Sequence, residues 1–201
     1  MTKRDTIFNK FEKAGLVTVL VVILLRVLLG PDANFLLLVT TTILSTYYLW
    51  FGFFIFNKIT PLSLLNKSVT QSLTSFEVYL SIIMGVVISY ALIAILTGFF
   101  FYPVMPVILG SALSLLVAFS IFLAIYKVIK KKKINFLESF SIRTLVYGIL
   151  LILLTVPPLE TRLHILFKDY PEFVEAYLDC RENPDDEKKQ ERLKEERSRF
   201  R

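Results

Sequence analysis

Residues 76–101 read FEVYLSIIMGVVISYALIAILTGFFF, with Glu77 the only charge in 26 consecutive positions. A water-facing helix needs polar side chains every few positions, and a hydrocarbon core about 30 Å thick takes roughly 20 apolar residues at 1.5 Å each. Four more runs share this character: 14–29, 35–56, 107–126 and 140–156. The last begins strictly at Thr144 and extends back to Phe140 if Arg143 reaches the interface. A barrel would need alternating segments of about ten residues. These runs are uniformly apolar, so the backbone must satisfy itself as helix. The expectation is an all-α polytopic membrane protein with about five transmembrane helices.

The rest of the composition agrees. Of 201 residues, 55% are hydrophobic, and 22 of the 40 charged side chains lie in 160–201. The chain therefore divides into an N-terminal stretch 1–13, a bundle 14–156 and a C-terminal amphipathic and charged helical arm 157–201. The net charge of +6 comes from lysines beside spans, so it is no footprint for nucleic acid. Cys180 is the single cysteine and His164 the single histidine, which leaves no disulfide, no metal cluster and no catalytic triad to expect. No cofactor is implied. The first run lacks a small-residue cleavage site before Pro31 and is read as a retained span.

Gly30-Pro31-Asp32-Ala33-Asn34 and Tyr102-Pro103-Val104-Met105-Pro106 are tight turns, marked by Pro31 and Pro103. In the longer loop 57–75, Thr60 caps a short helix with Pro61 at its first position. Leu62, Leu65, Val69 and Leu73 then fall on one face, as in a helix lying among head groups. Lysines and Arg4 gather in 1–13, Lys58 and Lys67 in the second loop, and Lys127 with 130–133 in the fourth. The two proline turns carry none. This alternation puts the N-terminus in the cytoplasm of a cell (inner) membrane and, after five crossings, the arm on the far side. A re-entrant fifth run would return the arm to the cytoplasm.

A shift of 72 residues lays Pro31 on Pro103 and Lys58 on Lys130, as if one helical hairpin had been duplicated in parallel. Any two helical hairpins also look alike.

Polar groups within such runs are the natural suspects for function. Arg26 either snorkels to outer head groups or pairs with a carboxylate, Glu160 being the candidate. Glu77 suits a helix N-terminus. Glu138 and Arg143 enter the fifth run, at the interface or as a buried pair. No acid is expected deep in a span, which argues against a proton relay or a cation-coupled carrier. The second run carries Thr40, Thr41, Thr42, Ser45, Thr46, Tyr47, Tyr48 and Trp50. These hydroxyls either bond helix to helix or line a cleft. Gly85, Gly98, Gly110 and Gly148 mark expected close helix contacts.

After Pro157-Pro158, Leu163, Leu166, Phe167, Tyr170, Val174, Tyr177 and Leu178 recur near helical spacing, with a bend at Pro171. This stretch lies on the membrane or docks on the bundle. Asn183-Pro184 followed by acids reads as a new helix start, with Asp185–Lys189 and Glu195–Arg199 as four-apart pairs. That last helix is expected to be solvated and fraying, with a partner-binding arm as the alternative.

The stretch Leu25-Arg26-Val27-Leu28-Leu29-Gly30-Pro31-Asp32-Ala33 resembles the first hairpin of the membrane subunit of the gliding-motility and type IX secretion motor. More broadly, the chain resembles multi-span membrane proteins of gliding bacteria that carry this hairpin twice and end in a charged helix. The resemblance implies a shared scaffold and a structural role for Arg26 at the turn. Leu29-Gly30 stand where that family has His-Trp, and 35–56 lacks the glutamate that the family uses in ion-driven torque. The functions to weigh are a non-catalytic scaffold or subunit of a membrane assembly, with lipid, a second copy or another membrane protein as partner, and a small transporter or channel subunit. An enzyme acting on lipid would need clustered acids or histidines at an interface.

Overall fold

A computed structural model of the chain describes residues 7–66, 74–101, 105–130 and 135–199. Every regular element among them is helical. Helices α1 (Ile7–Leu29) and α2 (Asn34–Asn57) are joined by a 3-10 turn, Gly30–Ala33. A 3-10 segment, Pro61–Leu65, precedes α3 (Ser75–Phe100) and α4 (Met105–Lys130). Then come α5 (Asn135–Thr155), α6 (Leu159–Leu166), α7 (Pro171–Glu182) and α8 (Glu187–Ser198). Pro103, Lys67, Val69, Leu73, the lysines at 131–133 and the side chain of Glu138 lie outside what is described, and the second proline turn with them.

Three stretches are long and apolar enough to cross a membrane: Ile7–Asn57, Ser75–Phe100 and Met105–Ile129. The pair Phe140–Thr155 and Leu159–Leu166, bent by 104° at Pro157-Pro158, makes a fourth if counted as one. The first stretch is folded on itself. Phe8 stacks on Phe54 and touches Tyr47 and Phe51, so α1 and α2 run antiparallel. Gly30, at φ +68°, allows the tight reversal. Both flanking helices are longer than the apolar runs suggest: α1 has 23 residues and α5 has 21.

Helix α3 is the hub. Met84, Ile88, Ala91, Leu92, Ala94 and Ile95 are fully buried, and α2, α4 and α5 all pack on it. Against α2 the approach is closest at Gly52 and Gly85. A Cβ added to Gly52 would sit 2.7 Å from the Gly85 Cα, and one added to Gly85 would sit 2.6 Å from the Tyr48 carbonyl oxygen. Gly98 and Gly148 also lie against neighbours, Leu154 and Leu116. Gly110 does not: among the described residues nothing lies within 4 Å of its added Cβ, so the expected contact is not made there.

Outward faces are apolar rather than charged. Phe35, Trp50, Val107, Val128 and Leu145 are each more than 60% exposed, with many smaller apolar neighbours. Water-soluble monomers rarely expose contiguous apolar surface on this scale, and lipid accommodates it. The helices and their outward faces are long and apolar enough for a membrane.

The Thr60 cap and the place of Glu77 at a helix N-terminus are as read. Thr60 and Ser63 form a capping box around Pro61, although the segment is 3-10 rather than α. Thr74 caps α3 and accepts from the Glu77 amide at 3.2 Å, while Glu77 accepts from the Thr74 amide at 3.1 Å.

The arm takes one of the two placements expected of it. Leu163, Leu166, Phe167, Phe173 and Val174 are buried, and the Phe167 and Tyr177 rings meet Phe101 at the end of α3. The arm is therefore docked on the bundle. Asn183 does not start α8 but closes α7; Asp186 caps α8, accepting from the Lys188 and Lys189 amides. Helix α8 is mostly exposed, as a solvated helix would be. It folds back on α7, with Arg192 paired to Glu175 and Asp179, and Arg199 paired to Glu172 and Glu196 rather than Glu195.

Candidate functional site

The buried face of α1 follows helical spacing from its first turns: Glu12, Val19, Val22, Ile23, Arg26. Its two charged members are the two polar nodes of the hairpin.

Glu12, 3% exposed, lies opposite Tyr48 of α2 and Arg143 of α5. Arg143 grips it with two nitrogens. Nε donates to Oε1 at 2.5 Å, and Nη2 donates to Oε2. The Tyr48 hydroxyl donates to Oε1 and accepts from Arg143 Nε at 3.3 Å. The Tyr147 hydroxyl points at that of Tyr48, 3.4 Å away. Phe56 carries the guanidinium over its ring at 5.1 Å from the centroid, and Phe140 closes on Phe56. The result is a two-pronged ion pair held by aromatic walls, with three helices meeting on one carboxylate.

Helix α1 begins at Ile7 and carries Glu12, from near its start, into the interior of the bundle. The signal was available, because Phe8, Phe11, Glu12, Gly15, Leu16 and Val19 already keep helical period. Of the two readings for Arg143, the structure forms the buried pair, with Glu12.

Arg26 does neither thing expected of it. It is fully buried rather than snorkelling, and Glu160 is exposed and does not touch it. Its Nε donates to Asn34 Oδ1 at 2.7 Å, and Nη1 donates to the Leu166 carbonyl at 2.9 Å. The Phe167 ring lies 4.9 Å beneath. Nη2 has no partner. Pro31 is buried beside it in the turn, and Tyr170 covers Gly30. Arg26 thus ties the docked arm to the first hairpin. Replacing it with glutamine is expected to cost about 2–3 kcal/mol, the scale of a charged hydrogen bond with its ring contact. The arm should loosen before the bundle does. The check is the rate at which Cys180 reacts with a maleimide in detergent, which should rise several-fold while the helical signal stays unchanged.

The hydroxyls of α2 do not converge on one channel. Thr40 bonds back to the Leu36 carbonyl at 2.7 Å. Ser45 reaches across to Ser89 of α3, 2.9 Å to its hydroxyl and 3.1 Å to its carbonyl. Tyr47 donates to the Phe8 carbonyl at 3.0 Å. Thr41 is buried with an unpartnered hydroxyl. Thr42, Thr46 and Trp50 face outward. Since hydrogen bonds between membrane helices average only about 0.6 kcal/mol, Ser45→Ala is expected to shift stability by less than about 1 kcal/mol in a detergent unfolding titration. Glu77 is exposed and serves as a cap.

The 72-residue shift carries none of this chemistry across: Glu12, Arg26 and Tyr48 fall on Met84, Gly98 and Ser120. Among the described residues, no three His, Cys, Asp or Glu side chains gather to hold a metal. No protein-family model, curated protein or solved structure matches the chain.

Proposed function

We propose that this protein is a non-catalytic structural subunit of a membrane assembly, with α1 to α5 each crossing an inner membrane. The N-terminus then faces the cytoplasm and the docked arm faces the far side. The reading is supported above all by the way the buried charges are spent. Both oxygens of Glu12 are occupied by Arg143 and Tyr48, so the pair fixes how α1, α2 and α5 register instead of offering a vacant binding group. The hydroxyls of Thr40, Ser45 and Tyr47 in α2 are used in the same way, between helices or on their own backbone. What the bundle presents outward is apolar helix surface, α4 above all, suited to lipid, a second copy or another membrane protein. A kinship with the membrane subunit of the gliding-motility motor fits as a shared hairpin scaffold, with Arg26 at its turn.

A small transporter or channel subunit is the second reading. One observation favours it: Glu12 supplies an acid inside the bundle, which a proton-coupled carrier requires.

The two separate on purified material. Extracted in mild detergent, the subunit is expected to run as a discrete oligomer or with a stoichiometric membrane-protein partner. Reconstituted alone in liposomes, it should move no protons or small ions above empty vesicles. A monomer whose liposomes pass protons, with the flux lost in Glu12→Gln, would establish the carrier instead.

A further inference from the structure

A second polar concentration lies where the arm crosses the end of the bundle, away from Glu12 and Arg26. A cavity of about 700 Å³ opens between the α5–α6 bend, the start of α4 and the arm. That is within the usual range for a small-molecule site. Arg162 of α6, Arg181 of α7 and Arg197 of α8 line it, from three different helices, and among the described residues no acid does. Its other wall is apolar, with Phe101, Met105, Val156 and Leu193.

The arm does not lack carboxylates. Arg192 and Arg199 find theirs in Glu175, Asp179, Glu172 and Glu196. Arg162, Arg181 and Arg197 have no carboxylate partner among the described residues. Arg162 spends Nη1 on the Leu154 carbonyl and keeps a buried Nε with nothing to bond. All three guanidiniums act on the Tyr177 phenol in the same cavity: burial pushes its pKa up, and they pull it back. Three like charges held together without a counter-charge repel one another, so the folded arm favours an anion among them.

We infer that this cavity binds an anionic phospholipid, its phosphate among Arg162, Arg181 and Arg197 and an acyl chain along Phe101, Met105 and Val156. The occupant must be an amphiphile because the basic and apolar walls belong to one cavity. It comes from the bilayer because the cavity sits at the ends of α3, α4 and α5, where head groups lie. The phosphate would neutralise the arm's unpaired charge, and the chain would cover the exposed Val156. The inference requires only that the bundle sits in lipid; it holds whether the protein is a scaffold or a carrier.

The test uses the full-length protein, delipidated in a neutral detergent and titrated with phosphatidylglycerol or phosphatidylcholine while bound lipid is read by native mass spectrometry. Wild type should retain phosphatidylglycerol at least about tenfold more tightly than phosphatidylcholine. Arg181→Gln/Arg197→Gln, which leaves the Arg162 contact to Leu154 intact, should lose about tenfold in that affinity. Lys188→Gln/Lys194→Gln, altering the same number of charges at exposed positions of the same arm, should keep it. Equal retention of both lipids, or equal loss in the two double variants, would overturn the inference. So would full competition by glycerol phosphate at the lipid's own concentration, because the site would then take a free anion and the apolar wall would contribute nothing.

Discussion

Replacing Arg143 with leucine should destabilise the bundle by about 3–5 kcal/mol, the cost of stranding one member of a buried ion pair. Glu12 would keep the Tyr48 hydroxyl but lose both nitrogens that now hold it. An unpaired carboxylate is costly in that aromatic enclosure, so α1 is expected to draw away from α5. Glu12→Gln should be milder, because its amide oxygen still accepts from Tyr48 and from Arg143. The combination Glu12→Leu/Arg143→Leu should recover most of the loss, since a well-packed apolar replacement of a buried pair is often neutral. Unfolding wild type, Glu12→Leu, Arg143→Leu and the double variant by a graded denaturant in mixed micelles gives the double-mutant cycle. A coupling near zero would mean that the pair does not hold the three helices together.

Gly85→Ala is the second large effect, and it comes from a single methyl group. Its Cβ would meet the Tyr48 carbonyl oxygen at 2.6 Å and the Gly52 Cα at 3.0 Å. Both neighbours are backbone, so no rotamer change relieves the clash. Helix α2 must move off α3. Tyr48 belongs to the displaced turn, so the Glu12 bond and the Ser45–Ser89 contact shift with it. Overpacking of this kind costs about 1–3 kcal/mol, and Gly85→Leu should exceed that range and abolish the folded protein. Gly52→Ala meets the Gly85 Cα at 2.7 Å and should behave like Gly85→Ala. Gly110→Ala is the control. Among the described residues nothing lies within 4 Å, so it should be neutral or gain up to about 1 kcal/mol of helix propensity. Thermal unfolding in detergent ranks the series. Equal behaviour of Gly85→Ala and Gly110→Ala would contradict the close crossing.

How far these contacts were legible in the sequence depends on their range. Short-range chemistry reads well. The Thr74–Glu77 and Thr60–Ser63 caps span three residues, and the Gly30–Ala33 turn spans four. Uniformly apolar runs give helices and membrane together, since hydrocarbon leaves the backbone no other partner. Long-range chemistry does not read. Glu12 and Arg143 are 131 positions apart, and each alone resembles an interfacial charge. Arg26 is held not by a carboxylate but by a backbone carbonyl, a partner that every residue offers and no sequence advertises. Gly52, between Phe51 and Phe53, gives no sign of its contact until α3 brings Gly85 opposite. The helix ends show the same limit. Asn183-Pro184 has the chemistry of a helix start, but Asp186 takes the role because α8 must turn back onto α7.

Cys180 provides the most direct measurement of the layout. As the only cysteine, half-buried on the docked arm, it reports which side of the membrane that arm occupies. Intact spheroplasts treated with a membrane-impermeant maleimide should label Cys180 without permeabilisation. In a Cys180→Ser background, cysteine introduced by Lys10→Cys should label only after the membrane is opened. Labelling of both positions under the same condition would place α1 and the arm in one compartment and contradict five crossings.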